Sequence, residues 1–331
     1  MRPPKTCVIS VSFRGSADTA ACVRSLHASA APVRIVVIDT TPHDQELLSA
    51  LSFASDVQLI RAGSNIGYGR ACNLGIDWSL NNTSCDFFLI LNNDAIVLPE
   101  TIGVLEEAME SDPGVGIIAP RIACLNNPEK LWYGGGEIDW RRASAFTPGF
   151  NAAADAPLAM TERDVTFASG CALFIRRPIA VRLGGFDPRF FMYEEDVELC
   201  LRALEGGIRI RYLPRSLVLH RAQGSSRQDT SDRGDFWSCK SPSLPFYAFH
   251  VMRNRMLNIK LHAHGLQRLV AVTFFPLMLV RRAVPFLIGG RTDAIAAMFR
   301  GIADSLRAGD GTCSASLSDD KLRSVPDEAA E

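Results

Sequence analysis

Over its first 120 residues the chain alternates short β-branched runs with stretches of helical periodicity. The runs fall at 7–13, 34–39, 57–62, 87–91 and 115–121, and the helical patterns at 17–30, 44–52, 69–80 and 101–111. Continuous apolar runs read as strands buried on both faces, and strands separated by helices build a parallel sheet covered on both sides. An α/β fold with an open sheet is therefore predicted. Ligands in such sheets bind outside the carboxyl ends of the strands. The polar residues closing the strands are thus the first candidates for chemistry: Asp39 after RIVVI, and Asn92, Asn93 and Asp94 after FFLIL.

Past residue 121 the pattern changes. Residues 126–165, with WYGGG and Pro148-Gly149, read as irregular connection with one hairpin. A strand is predicted over 167–175, then a short helix opened by Pro178. An amphipathic helix over 195–205 places Val197, Leu201 and Leu204 on one face. Two short strands, 208–213 and 216–220, follow. From 246 to 306 the pattern is helical, and residues 269–280 are apolar apart from Thr273 and Pro276. That run is shorter than the roughly 20 residues that span a bilayer, and Pro276 and Pro285 are expected to interrupt it.

Charge is informative only in its distribution. Lys plus Arg number 35 and Asp plus Glu 36, which gives no reason to expect a nucleic-acid partner. Residues 240–310, however, carry ten basic and three acidic side chains. A segment both basic and apolar suits peripheral attachment to an anionic membrane surface, while a run of 12 apolar residues also suits a core helix packed against the rest of the fold. The nine cysteines are odd in number and never spaced CxxC, so neither a disulfide framework nor a zinc knuckle is indicated and a reducing cytoplasm fits. The amino terminus reads as a first strand, not as a signal peptide, and the polar residues 311–331 as a disordered tail.

Glu194, Glu195, Asp196 and Glu198 cluster at a predicted helix start, where acids are favoured by the macrodipole. The preceding FFMY could shield them from water and raise a carboxylate toward the range of a general base. The Asn92-Asn93-Asp94 cluster could form a turn or hold a hard divalent cation. His220 closes LVLH just before Gly224-Ser225-Ser226, where a structural role and a phosphate contact are both open. Gly67 and Gly69 begin a GxG before a helix, but Cys72 stands where the third glycine belongs and the run follows the third strand. A nicotinamide oxidoreductase is not supported, and no P-loop or GxSxG is present.

These residues together resemble the family 2 glycosyltransferases of the GT-A fold, and particularly their rhamnosyltransferase-like branch. The resemblance covers about residues 7–264. It rests on RIVVID, NIGYGRACNLGI, LNND, SGCALFIRR and GGFDPRFFMYEEDVELCLRA in that order, with HRAQGSS and FYAFHVMRNR beyond.

The resemblance implies a nucleotide-sugar-binding half (1–125), an acceptor-binding and catalytic half (126–240) and a helical extension (241–310). It further implies an inverting transferase that moves a sugar, rhamnose favoured, from a dTDP- or UDP-sugar to a glycan or polyprenyl-linked acceptor at the inner face of the cell membrane. Asp39 would bind the pyrimidine or ribose, with Asn65, Arg70 and Asn92 in the nucleotide pocket. Asp94 and His220 would hold Mg²⁺ or Mn²⁺. Asp196 would be the general base, with Glu195 beside it as the fallback, and Arg221 and Arg227 could neutralise the leaving group without a cation. The chain departs from the family at Thr40-Thr41-Pro42, at Glu194, where relatives often have Trp, and at Asn92, where the metal motif has aspartate. A GT-A scaffold that binds a nucleotide or glycan without turnover is the alternative.

Overall fold

The computed structural model describes residues 3–42, 44–221 and 238–307. Four parallel strands form its nucleus: β1 (Thr6–Ser12), β2 (Val33–Asp39), β3 (Gln58–Arg61) and β4 (Phe87–Asn92). β1 lies between β2 and β4, and β3 pairs beyond β2. Three helices connect them: α1 (Ser16–His27), α2 (Gln45–Ala50) and α3 (Tyr68–Asn82). Every residue of β1 is buried, as expected of a strand covered on both faces.

The register sets the site. Ser12 lies beside Asp39 and Val11 beside Asn92, so the carboxyl ends of β2, β1 and β4 finish together. With strands about 4.8 Å apart, the backbones of Asp39 and Asn92 lie roughly 10 Å apart across β1, one residue out of register.

The remaining sheet is mixed. β5 (Ala95–Val97) and α4 (Thr101–Ser111) follow β4, and then come the long β6 (Val115–Cys124) and β7 (Asn127–Tyr133). β8 (Glu137–Asp139) and β9 (Ser144–Phe146) form a separate hairpin. β10 (Arg163–Val165), β11 (Ala172–Arg176), α5 (Arg177–Leu183), α6 (Glu195–Glu205) and β12 (Arg209–His220) complete the order β10-β12-β6-β11-β4-β1-β2-β3. β11 runs antiparallel between β4 and β6.

Several expectations change. Residues 127–165 contain four short strands, where one hairpin in an irregular connection was expected. The two strands expected at 208–213 and 216–220 are one, β12, with its register shifted between Leu213 and Leu217. The strand expected from 167 starts only at Ala172, which leaves 167–171 as a loop at the ends of the sheet.

Three helices close the described chain: α7 (Leu244–His262), α8 (Gly265–Ile288) and α9 (Thr292–Arg307). α7 packs along α9 and against α6. α8 does not break at Pro276 or Pro285; both lie inside one 24-residue helix. The carbonyls deprived of a partner belong to residues 272 and 281, both on the exposed face, where water can serve them. α8 is thus long and apolar enough to cross a membrane by length and composition, although the 12-residue run alone was not. It is also poorly covered: Leu266, Leu269, Val272, Leu277, Val280, Val284, Leu287 and Ile288 are all exposed.

Candidate active site

Asp39 is buried at the end of β2, with Oδ1 accepting from the Thr41 N–H at 2.9 Å. Burial raises its pKa against that hydrogen bond. At the end of β4, Asn92 turns its side chain to His220, with Nδ2 and Nε2 3.3 Å apart. Asp94 Oδ1 lies 2.9 Å from the same Nε2. Antiparallel pairing of β12 with β5 sets Ala95 opposite His220 and thereby delivers the histidine to Asp94. Burial opposes the charged imidazole, but the Cys171 sulfur and the Asp94 carboxylate outweigh it, and the pKa of His220 stands well above its ordinary value. Asn93 points elsewhere, donating to Thr19 Oγ1 at 3.0 Å.

Among the described residues no group of three His, Cys, Asp or Glu side chains could hold a metal ion by itself. Asn92 and Asp94, with His220 once it gives up the proton it shares with Asp94, could nevertheless hold a cation whose coordination the substrate completes. Mg²⁺ sites typically use one or two carboxylates, with phosphate oxygens and water filling the rest of the shell. Neighbouring ligands about 2.1 Å from an octahedral ion lie about 3 Å apart, close to the 2.9 Å between Asp94 and His220.

NIGYGRACN braces the loop of residues 186–194. Gly67 has φ +86°, and a Cβ there would come within 2.4 Å of the Phe191 carbonyl oxygen. Only glycine admits that approach. Asn65 Oδ1 accepts from the Gly67 N–H at 3.1 Å, and Arg70 Nε donates to the Pro188 carbonyl at 2.9 Å. Asn73 both donates to and accepts from the Phe186 backbone at 2.8 Å.

That loop ends in two successive left-handed residues, Tyr193 (φ 66°) and Glu194 (φ 65°). Such conformations cost on the order of 1–3 kcal/mol each and persist only where surroundings fix them. α7 does the fixing. Buried Asn254 donates Nδ2 to the carbonyls of Met192 (2.9 Å) and Tyr193 (2.7 Å). The Glu194 carboxylate accepts from Arg255 Nε and Ser144 Oγ, each at 2.8 Å.

The two acids that follow are held differently. Glu195 is 7% exposed, and its Oε2 has no hydrogen-bond partner among the described residues. Burial, then the neighbouring Asp196 charge, raise its pKa well above the ordinary carboxylate value and so favour the neutral form. Asp196 keeps some solvent access and accepts from two backbone N–H groups, Gly170 to Oδ2 and Val197 to Oδ1, both at 2.9 Å. Burial nevertheless raises its pKa to about 6.

Asp196 opens into a cleft of about 270 Å³, lined in part by Trp132, Phe146, Tyr193, Tyr247 and Arg255. Two links join this cleft to the Asn92–Asp94–His220 centre. One is the loop 169–171: Gly170 donates to Asp196, and the next residue's carbonyl accepts from the Asn92 N–H at 2.9 Å. The other is Trp132, whose ring lies edge-on to His220 with centroids 4.6 Å apart.

The predicted residues therefore fall into three groups. Asn92, Asp94 and His220 converge, Glu195 and Asp196 stand in the adjoining cleft, and Asp39 lies across the strand ends. Asn65 and Arg70 bond to backbone at the start of α3 and in the 186–191 loop. Arg221 pairs with Asp18 at 3.0 Å; Arg227, Gly224-Ser225-Ser226 and the tail lie outside the described residues. Gly170, Trp132, Tyr247 and Arg255 were not singled out from sequence. SGCALFIRR, WYGGG and FYAFHVMRNR carried them, but none contains a cluster of carboxylates.

Residues 3–236 match the family described as glycosyltransferase like family 2. A relative from Mycobacterium tuberculosis, N-acetylglucosaminyl-diphospho-decaprenol L-rhamnosyltransferase, is 29% identical over 214 residues, 60% of this chain and 69% of that protein. The low-salt glycan biosynthesis hexosyltransferase of Haloferax volcanii is 26% identical over 213 residues, 61% of this chain and 62% of that one. The fold is similar to that of a Pyrobaculum calidifontis mannosyltransferase in complex with GDP-Man and Mn²⁺, with TM-score 0.52 and 13% identity over 92% of this chain and 88% of that one.

Proposed function

The chain belongs to the glycosyltransferase like family 2, and from that membership we propose that it is an inverting, cation-dependent transferase that moves a sugar from a nucleoside diphosphate to a hydroxyl of a lipid-linked glycan acceptor. The observation that carries this reading is the junction of the Asn92–Asp94–His220 centre with the Asp196 cleft through loop 169–171. Rhamnose is the sugar favoured, supported by the name of the Mycobacterium tuberculosis relative. That name also supports an isoprenoid-diphosphate acceptor.

In the proposed reaction Asp39 receives the nucleoside at the end of β2. Asn92, Asp94 and His220 would hold Mg²⁺ or Mn²⁺, which when bound offsets charge on the departing diphosphate. The acceptor sugar enters between the aromatic walls of the cleft and presents a hydroxyl to Asp196. As its oxygen forms a bond to the anomeric carbon, the proton passes to the Asp196 carboxylate and the bond to the diphosphate breaks. One base and one displacement invert the anomeric centre. The two N–H groups on Asp196 hold both its oxygens, so a lone pair is aimed before substrate arrives. Burial favours the neutral form of Glu195 at its side, which leaves Asp196 as the anionic base.

A panel of nucleotide-sugars with Mn²⁺ tests the donor. The true donor should raise the melting temperature most, since a ligand that binds only the native state stabilises it in proportion to RT ln(1 + [L]/Kd). If no nucleotide or nucleotide-sugar shifts it, the transferase reading fails.

We also propose that the protein sits peripherally on the cytoplasmic face of the membrane through the exposed side of α8. Its apolar face and the excess of basic side chains support this. The full chain should sediment with phosphatidylglycerol vesicles at low salt and be partly released at high salt. Absence of sedimentation at low salt removes the proposal.

A further inference from the structure

α8 has two unlike faces. The inward one carries Ala271, Phe275, Met278, Leu279 and Phe286, which are packed on α7, α9 and the 193 loop. These positions follow the three- and four-residue spacing of a single helical stripe. Arg282 lies on that stripe, four residues before buried Phe286, and is itself half-buried. Its electrostatic neighbours are Arg255, Tyr247, Arg281 and Glu194. Three of them, Tyr247, Arg255 and Glu194, line the cleft that holds Asp196.

A guanidinium on an apolar stripe is costly compared with a hydrophobic side chain of similar volume. Here it brings a second guanidinium to Arg255, itself 2.8 Å from Glu194 with both side chains nearly covered. Arg255 and Arg282 thus stand near one another beside Glu194, where Tyr247 of the cleft packs with Leu279 and Phe286 of α8. Paired guanidinium forks suit phosphate oxygens, which they bind in bidentate fashion. On the opposite side of the same helix lies the exposed apolar face.

Resting on the transferase reading above, we propose that Arg282, with Arg255, binds the diphosphate of an isoprenoid-diphosphate-linked acceptor, whose hydrocarbon chain passes round α8 to reach its exposed face. The acceptor sugar then projects into the cleft toward Asp196, and the helix that meets the membrane is the one that selects the acceptor.

The test uses the full chain in metal-free buffer, where a diphosphate has no cation to follow into the donor pocket. Farnesyl diphosphate, farnesol and inorganic pyrophosphate are titrated against wild type, Arg282→Met, Arg282→Gln and Arg268→Gln, the last a control on the same helix. Wild type and control should bind farnesyl diphosphate more tightly than either fragment. Arg282→Met should lose at least tenfold of that affinity, in keeping with a charge-assisted hydrogen-bond pair. Because methionine extends the apolar stripe, its melting temperature should match or exceed that of wild type, and Arg282→Gln supplies the same comparison without that packing. Unchanged farnesyl diphosphate affinity in folded Arg282 variants overturns the inference. So does wild-type binding that does not distinguish farnesyl diphosphate from farnesol. If wild type also ignores every nucleoside diphosphate in Mn²⁺, the transferase reading itself has failed.

Discussion

Replacing Asp196 by asparagine should lower turnover by about two to four orders of magnitude while leaving nucleotide binding intact, the usual contribution of a positioned general base. The amide keeps the shape of the side chain and cannot take the acceptor proton. A pH profile separates loss of a base from loss of structure. With a pKa near 6, Asp196 is protonated below that value and ionised above it. Wild-type kcat/KM should therefore fall about tenfold per pH unit below pH 6 and level off above it. Asp196→Asn should lose that limb. Transfer at near wild-type rates in Asp196→Asn would end the base assignment, and buried Glu195 would be the next carboxylate to test.

Chelation should have an equally large effect. Removal of divalent cations is expected to abolish transfer, and Mg²⁺ or Mn²⁺ to restore it. Asp94→Ala should weaken cation-dependent nucleoside diphosphate binding by at least about tenfold, on the scale seen when groups around a metal are removed. Without cation the two proteins should bind alike. That comparison isolates the Asp94 contribution from any general damage to the pocket. Full activity in chelator would show that side chains alone neutralise the leaving group, with Arg221 the first described candidate to replace.

Both sets of residues were visible in the sequence because they stand where strong patterns stop. FFLIL and RIVVI are buried runs, so the polar residues after them mark the strand ends unambiguously. EEDVE was visible through charge density. Loop 169–171 was hidden for the opposite reason: SGCALFI reads as one strand, and only tertiary pairing shows that Ala172 is its first residue. Cleft walls such as Trp132 and Tyr247 are ordinary aromatics in local sequence, and their partners lie far along the chain. The continuity of α8 through two prolines was equally hidden, since the rule against internal proline presumes a carbonyl that cannot reach water. The Asn65 and Arg70 side chains show a further limit of reading by motif, because a run noticed for its glycines turns out to bond to the 186–191 loop and its own helix start.

The grip of α7 on the Tyr193–Glu194 backbone bears on how such enzymes can be recombined. Asn254 and Arg255 on one element and residues 192–194 on another are bonded as a single unit. A chimaera made by exchanging only the carboxy-terminal helices between relatives would place a foreign helix behind a strained turn that expects these donors. If the Asp196 cleft receives the acceptor as proposed, acceptor preference should transfer only when residues 186–194 travel with α7. The natural crossover points for such an exchange lie outside that pair, and a graft that respects them keeps the turn and its donors together while leaving strands β1 to β4 untouched.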